Sequence, residues 1–155
     1  MNNILCLVES KNQLFNTWQY ELTPYLKDSN AYGNIYFARY FEWQGLCREK
    51  WFSECVCHNM FDLKGSLVTR SAANDYIASI FPFQKIRCLL NTQHIKAASF
   101  DLVFRFYDLE SNKLLSMGRQ KIALINSESK KPVRFPKEIL DKVRFYVTEC
   151  MNDTH

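Results

Sequence analysis

The stretch Ile35-Tyr36-Phe37-Ala38-Arg39-Tyr40-Phe41-Glu42-Trp43-Gln44-Gly45-Leu46-Cys47-Arg48-Glu49-Lys50-Trp51-Phe52-Ser53-Glu54-Cys55-Val56-Cys57 decides how the rest of the chain is read. Tyr36, Phe37, Tyr40, Phe41, Trp43, Cys47, Trp51, Phe52 and Cys55 recur at steps of three and four. This is the spacing of a helix with a wide apolar face, expected from Ile35 to about Cys57. So aromatic a helix does not rest on one surface; it reads as a central helix that other elements wrap around. Gly45 lies inside it at about 1 kcal/mol against Ala, so a close packing contact is expected there.

The flanks carry a different period. Before the helix, Trp18 to Leu26 alternates like a strand, with Pro24 marking an edge or a bulge. Lys27-Asp28-Ser29-Asn30-Ala31-Tyr32-Gly33-Asn34 is loop chemistry. After the helix, strand patterns run over Leu67–Ile80, Phe83–Thr92, Ala98–Asp108 and Leu114–Ile125. Leu102, Phe104 and Phe106 alternate with Val103, Arg105 and Tyr107, and Glu110-Ser111-Asn112-Lys113 turns the last two strands into a hairpin. Pro136-Lys137-Glu138-Ile139-Leu140 opens a short terminal helix, with Pro where its missing N–H does no harm. The expected fold class is α+β, a long central helix covered by a curved antiparallel sheet of five to six strands. Such a sheet keeps an open edge, so self-association is expected.

Composition bounds the function. The 155 residues, 47% of them hydrophobic, fit one domain (1–155, core about 16–145) and are too apolar for disorder. Ile4-Leu5-Cys6-Leu7-Val8 is too short for a membrane span or an export signal, so a cytoplasmic protein is expected. A net charge of +4 is mild, and its densest cluster, Lys130-Lys131-Pro132-Val133-Arg134, is weak for nucleic acid. It suits a ligand bearing phosphate or an acidic carrier protein. Cys6, Cys47, Cys55, Cys57, Cys88 and Cys150 read as reduced thiols. Cys55, Cys57 and His58 lack a second ligand pair, so no metal and no other cofactor is expected.

The segment Asp28 to Glu49 resembles the start of the hot-dog fold acyl thioesterases. Their 4-hydroxybenzoyl-CoA thioesterase-like branch reads Asp-x-Asp-x-x-Gly-x-Val-x-x-x-x-Tyr before the helix, and Gly33, Ile35 and Tyr40 fit it. Gly33-Asn34-Ile35-Tyr36-Phe37 and Trp43-Gln44-Gly45-Leu46-Cys47-Arg48-Glu49 are closer still to the enediyne and polyketide-type acyl-carrier-protein thioesterases. Those read Thr-Asn-x-x-Gly-Asn-Val-Tyr-Tyr and Trp-Gln-Gly-x-Cys-Arg-Glu. Thr69-Arg70, Asp75-Tyr76, Gly118-Arg119-Gln120 and Lys131 to Pro136 look like later landmarks. The resemblance covers about Trp18 to Val143 and implies hydrolysis of an acyl-CoA or acyl-carrier-protein thioester by a homodimer or a dimer of dimers.

The resemblance also implies a site. Thioester hydrolysis needs an attacking water and donors where the carbonyl oxygen turns into an oxyanion. The family would place the polarising backbone N–H at Phe37. Where the 4-hydroxybenzoyl-CoA branch carries its Asp, this chain has Asn30, which can orient water but cannot act as a base. Arg48 is the third catalytic candidate, fixing an acyl carbonyl or carboxylate, within its own chain or across a dimer interface. Gly33, Tyr36, Thr69, Arg70 and Gly118 follow as substrate-binding candidates. Asp28 and Glu42 read more simply as a loop hydrogen bond and a solvent-facing carboxylate. The missing carboxylate also leaves open a non-catalytic acyl-thioester binding module. A dehydratase would need a histidine near the loop, and His58, His94 and His155 are all distant in sequence.

Overall fold

The computed structural model describes residues 16–148. Strands β1 (Trp18–Leu22), β2 (Ser66–Tyr76), β3 (Ile86–Gln93), β4 (Ser99–Asp108) and β5 (Leu114–Ile125) form one antiparallel sheet in the order β1-β3-β4-β5-β2. Helix α1 (Arg39–Trp51) lies against one face of that sheet, with Trp43 packed on Phe106 and Trp51 on Phe100. Leu102, Phe104 and Phe106 alternate inward along β4 and are fully buried, as their spacing requires. A short helix, α2 (Lys137–Arg144), closes the Trp51 end through Val143 and the nearby Tyr146 ring. This is the central helix wrapped by a curved sheet that the sequence implies, with five strands among the described residues.

Strand β5 has the bounds its pattern implies, while several other elements are shorter, and backbone hydrogen bonds explain why. The helix begins at Arg39, not Ile35. Ile35 donates its N–H to the Ile80 carbonyl (2.8 Å) and Tyr36 to the Asp28 carbonyl (2.9 Å), so both are held by neighbouring segments. At the far end the helix loosens into a π turn over Phe52–Val56, closed by the Cys57 N–H on the Phe52 carbonyl. The first strand stops at Leu22 because Pro24 has no N–H to continue the ladder. Its carbonyl instead accepts from Phe83, whose φ of 69° delays β3 to Ile86. Strand β2 stops at Tyr76, where the Ile77 and Ala78 N–H groups converge on the Leu115 carbonyl. The apolar run Ile4–Val8 lies outside the described residues.

Strand β2 is the longer of the two edges. Five consecutive residues, Thr69 to Ala73, are exposed, where a one-sided strand would alternate. A bulge at Arg70 shifts its register against β5. No helix among the described residues is long and apolar enough to cross a membrane.

Gly45 is not the close contact that its place in the helix implies. A methyl group built there meets nothing within 4 Å. Gly45→Ala should therefore stabilise the protein by about 0.5–1 kcal/mol through lower backbone entropy of the unfolded chain. Urea unfolding with an unchanged m-value checks this; a loss of stability would mean that a partner surface covers the position.

Candidate functional site

The loop before α1 is a tight knot of its own hydrogen bonds. Asn30 donates its N–H to the Asn34 carbonyl (2.9 Å), and its carbonyl accepts from Gly33 (3.1 Å). Its side-chain oxygen accepts from the Tyr32 N–H (2.9 Å), an Asx turn that leaves the amide NH2 without an acceptor among the described residues. Gly33 has φ of +86°, which a side chain would strain. Asp28, only 6% exposed, sits beneath. Its carboxylate accepts from the Tyr25 N–H (2.9 Å) and lies 3.3 Å from the Lys27 ammonium and 3.9 Å from Arg39 Nε. Asp28 therefore holds the loop and does not face the cleft above it.

At the loop exit the Phe37 N–H has no acceptor among the described residues, while its carbonyl accepts from the Tyr76 hydroxyl (2.9 Å). Phe37 stands two residues ahead of α1, in the turn where N–H groups lack helical partners. A cleft of about 320 Å³ opens there, lined among others by Asn30, Asn34, Phe37, Tyr40, Tyr76 and Ser79. Among the described residues no carboxylate and no histidine lines it. Burial pushes the phenols of Tyr40 and Tyr76 up from their usual value. Both stay protonated near neutral pH and act as donors, not bases. Asn34 contributes a buried side-chain oxygen without a partner.

Arg48 is in a different place. Its guanidinium donates to Thr69 Oγ1 (2.7 Å) and to Gln120 Oε1 (2.9 Å), and lies 3.5 Å from Glu49. With Thr69, Trp51, Phe52, Leu67 and Ile122 it lines a second cleft of about 130 Å³. Tyr40 and Arg48 are eight residues apart on α1, about 12 Å at 1.5 Å per residue. Between them lies Gln44, fully buried and bonded to both β2 and β5.

The structure thus brings Asn30 together with Phe37, and Arg48 with Thr69, but keeps the two sets apart within one chain. Tyr36 packs on Phe37 in a tilted pair at 4.7 Å between ring centroids, half-exposed and outside the cleft lining. Arg70 is exposed at the β2 bulge and makes no hydrogen bond or ion pair with the described residues. Gly118 lies under the Gln44 amide, where a Cβ would collide, and lines neither cleft. Glu42 pairs with Arg39 at 2.7 Å in the solvent. His58 and His94 bond to the Ser53 carbonyl and to Asp101, away from both clefts. Sequence reasoning missed Tyr76 and Gln44 as functional groups. The signal for Gln44 was present: it breaks the apolar stripe four residues after Tyr40 and four before Arg48.

Comparison with known proteins places this geometry in context. The model of the thioesterase-like superfamily matches residues 25–143. Among solved structures, the dynemicin thioesterase, described in crystal structures of polyene binding, superposes with a TM-score of 0.78. It is 24% identical, over 86% of this chain and 99% of that one. The 1,4-dihydroxy-2-naphthoyl-CoA thioesterase of Synechocystis gives 0.76 at 21% identity, over 83% and 96% of the two chains. A probable thioesterase of Escherichia coli gives 0.73 at 14%, over 84% and 98%. Among curated proteins no sequence matches.

The Tyr76 hydroxyl is the tie between edge strand and loop exit. Tyr76→Phe should lower stability by only about 0.5–1.5 kcal/mol, the net worth of one such bond. Amide exchange at Phe37 and Ala38 should accelerate more than at the α1 centre. Uniform acceleration along α1 would mean that Tyr76 does not hold the exit locally.

Proposed function

The chain belongs to the thioesterase-like superfamily and at that level is a thioester hydrolase; we propose that it hydrolyses an acyl-carrier-protein or acyl-CoA thioester of fatty-acid or polyketide type at a carboxylate-free site. The observation that carries this reading is the unpaired Phe37 N–H beside Asn30 in the cleft ahead of α1. A thioester carbonyl seated there accepts the Phe37 N–H, and developing negative charge on its oxygen strengthens that bond. The free Asn30 amide holds the attacking water. A C–O bond forms, the C–S bond breaks, and the thiolate takes up a proton, leaving carboxylate, free thiol and one proton released to solvent. Tyr40, protonated near neutral pH, lines the same cleft as a neutral donor, while the Tyr76 hydroxyl is spent on the Phe37 carbonyl.

In this reading a homodimer or dimer of dimers in the cytoplasm completes the site. One chain separates Arg48 from Phe37, and the exposed edge of β2 offers unpaired backbone groups to a second copy. Arg48 and Thr69 of one copy then orient the acyl group or pantetheine of a substrate held at the loop of the other. Arg70, exposed on that same strand, is a cation available to the phosphate end, and Gly118 serves indirectly by leaving room for Gln44. Tyr36 flanks the cleft mouth. The two named neighbours act on or bind different acyl groups, an aromatic CoA ester and a polyene, so the acyl group is left to assay. A second reading, a binding module without turnover, is favoured by Asn30 standing where a carboxylate would serve as base.

Thiol release from acetyl-, octanoyl-, palmitoyl- and benzoyl-CoA and from octanoyl-carrier protein separates the two readings. Hydrolysis is expected, with Asn30→Ala lowering kcat about tenfold to a hundredfold and Arg48→Ala raising KM about tenfold. Tight binding without turnover would favour the module. The pH profile tests the missing base. Without a carboxylate, kcat/KM should show no rise to a plateau with a midpoint near 4 to 5, and Asn30→Asp should introduce one, since a base works only above its pKa. A wild-type profile with that inflection would place a carboxylate base in the site.

A further inference from the structure

Gln44 is a neutral amide with no exposure at all, buried in an aromatic helix face, and every polar group on it is paired. Its Nε2 donates to the Ala73 carbonyl (3.2 Å) and to Asn74 Oδ1 (3.0 Å), and its Oε1 accepts from Gln120 Nε2 (3.1 Å). Gln120, 5% exposed, turns its own Oε1 to Arg48 Nη1 at 2.9 Å. Asn74 is held in turn by Ser116, which accepts from its amide (2.8 Å) and donates to the Asp75 carbonyl (3.0 Å).

The chemistry of the ends gives this chain one direction. Ala73 O is an acceptor only, and a guanidinium is a donor only. Two amides placed between an obligate acceptor and an obligate donor have one orientation that satisfies all three bonds. Turning either amide over would set donor against donor or acceptor against acceptor at the buried Gln44–Gln120 contact, where an unmade bond costs about 1–3 kcal/mol. Gly118 is part of the same arrangement, since a Cβ there would run into the Gln44 amide.

We propose that Gln44 is a positioning residue for Arg48: through Gln120 it presents the amide oxygen that, together with Thr69 Oγ1, fixes the guanidinium in one orientation. This rests on the reading of Arg48 as the group that orients substrate. Gln44 touches no substrate; it removes from Arg48 the freedom to swing away on its long side chain. With both Nη1 contacts occupied, Nη2 and Nε–H are the donors that remain to meet a ligand, the exposed Glu49 lying 3.5 Å from Nη2.

The test uses Gln44→Met, which keeps the bulk and removes the amide, with Gln120→Met breaking the same chain from the other side should the first not fold. Two readouts are needed, since loss of stability alone fits any buried group. Nitrogen-15 NMR of the arginine side chains should show the Arg48 guanidinium signal sharp in wild type and broadened or shifted in either variant. On whichever thioester of the panel wild type hydrolyses fastest, kcat/KM should fall by up to about tenfold, no more than the loss of Arg48 itself costs. In an Arg48→Ala background the same change should have no further effect. An unchanged Arg48 signal, or a fall that persists in full without Arg48, would overturn the proposal. Wild type inert towards every thioester would overturn the hydrolase reading instead, and the NMR comparison would still decide the relay.

Discussion

A polar side chain can sit in the middle of an aromatic core only if every donor and acceptor on it is met. Gln44 imposes that condition on the whole molecule. Its partners come from β2 and β5, so the helix, the edge strand and the neighbouring strand must meet in one register. Apolar contacts such as Trp43 on Phe106 would tolerate a small slip along the helix axis, because dispersion and area burial have no direction. Three amide bonds and a glycine beneath them do not. A one-residue slip of β2 against β5 would carry Asn74 away from the amide and turn the strand face over.

That register sets the geometry at both ends of the helix. Asn74 is two residues from Tyr76, whose hydroxyl reaches the Phe37 carbonyl. Gln120 carries the other end to Arg48, where Thr69 completes the pair. Each cleft therefore has a wall made of the strands that Gln44 aligns. The Phe37 peptide is gripped by its carbonyl while its N–H is left open, which is how a backbone donor is aimed at a ligand without being used up by the fold.

How much of this can be read in the sequence follows from which interactions are periodic. The helix face, the inward row Leu102, Phe104 and Phe106, and the hairpin at Glu110 to Lys113 are repeats of apolar spacing or turn chemistry, and they are legible. Boundaries are not, because they depend on partners distant in the chain: Ile80 holding Ile35, Pro24 accepting from Phe83, Leu115 ending β2. The same holds at the site. Gly33 and Asn30 are visible because a tight loop needs those residue types locally. Tyr76 is hidden because its role depends on a backbone carbonyl 39 residues away. Gly45 misled because a glycine in a helix points to a close contact, and the close contacts fall instead at Gly65 and at Gly118, outside the helix.

The separation of the two clefts bears on assembly. Opening a path between Phe37 and Arg48 within one chain would require removing Gln44 from its bonds, against its zero exposure and three satisfied partners. A second copy needs no such disruption. Strand β2 already presents an 11-residue edge whose central stretch is exposed on both faces, and a monomer leaves those backbone groups to water. In the proposed dimer, two such edges paired in antiparallel fashion would satisfy those backbone groups. The feature that blocks the site from forming in one chain also aligns the strand through which two chains can form it.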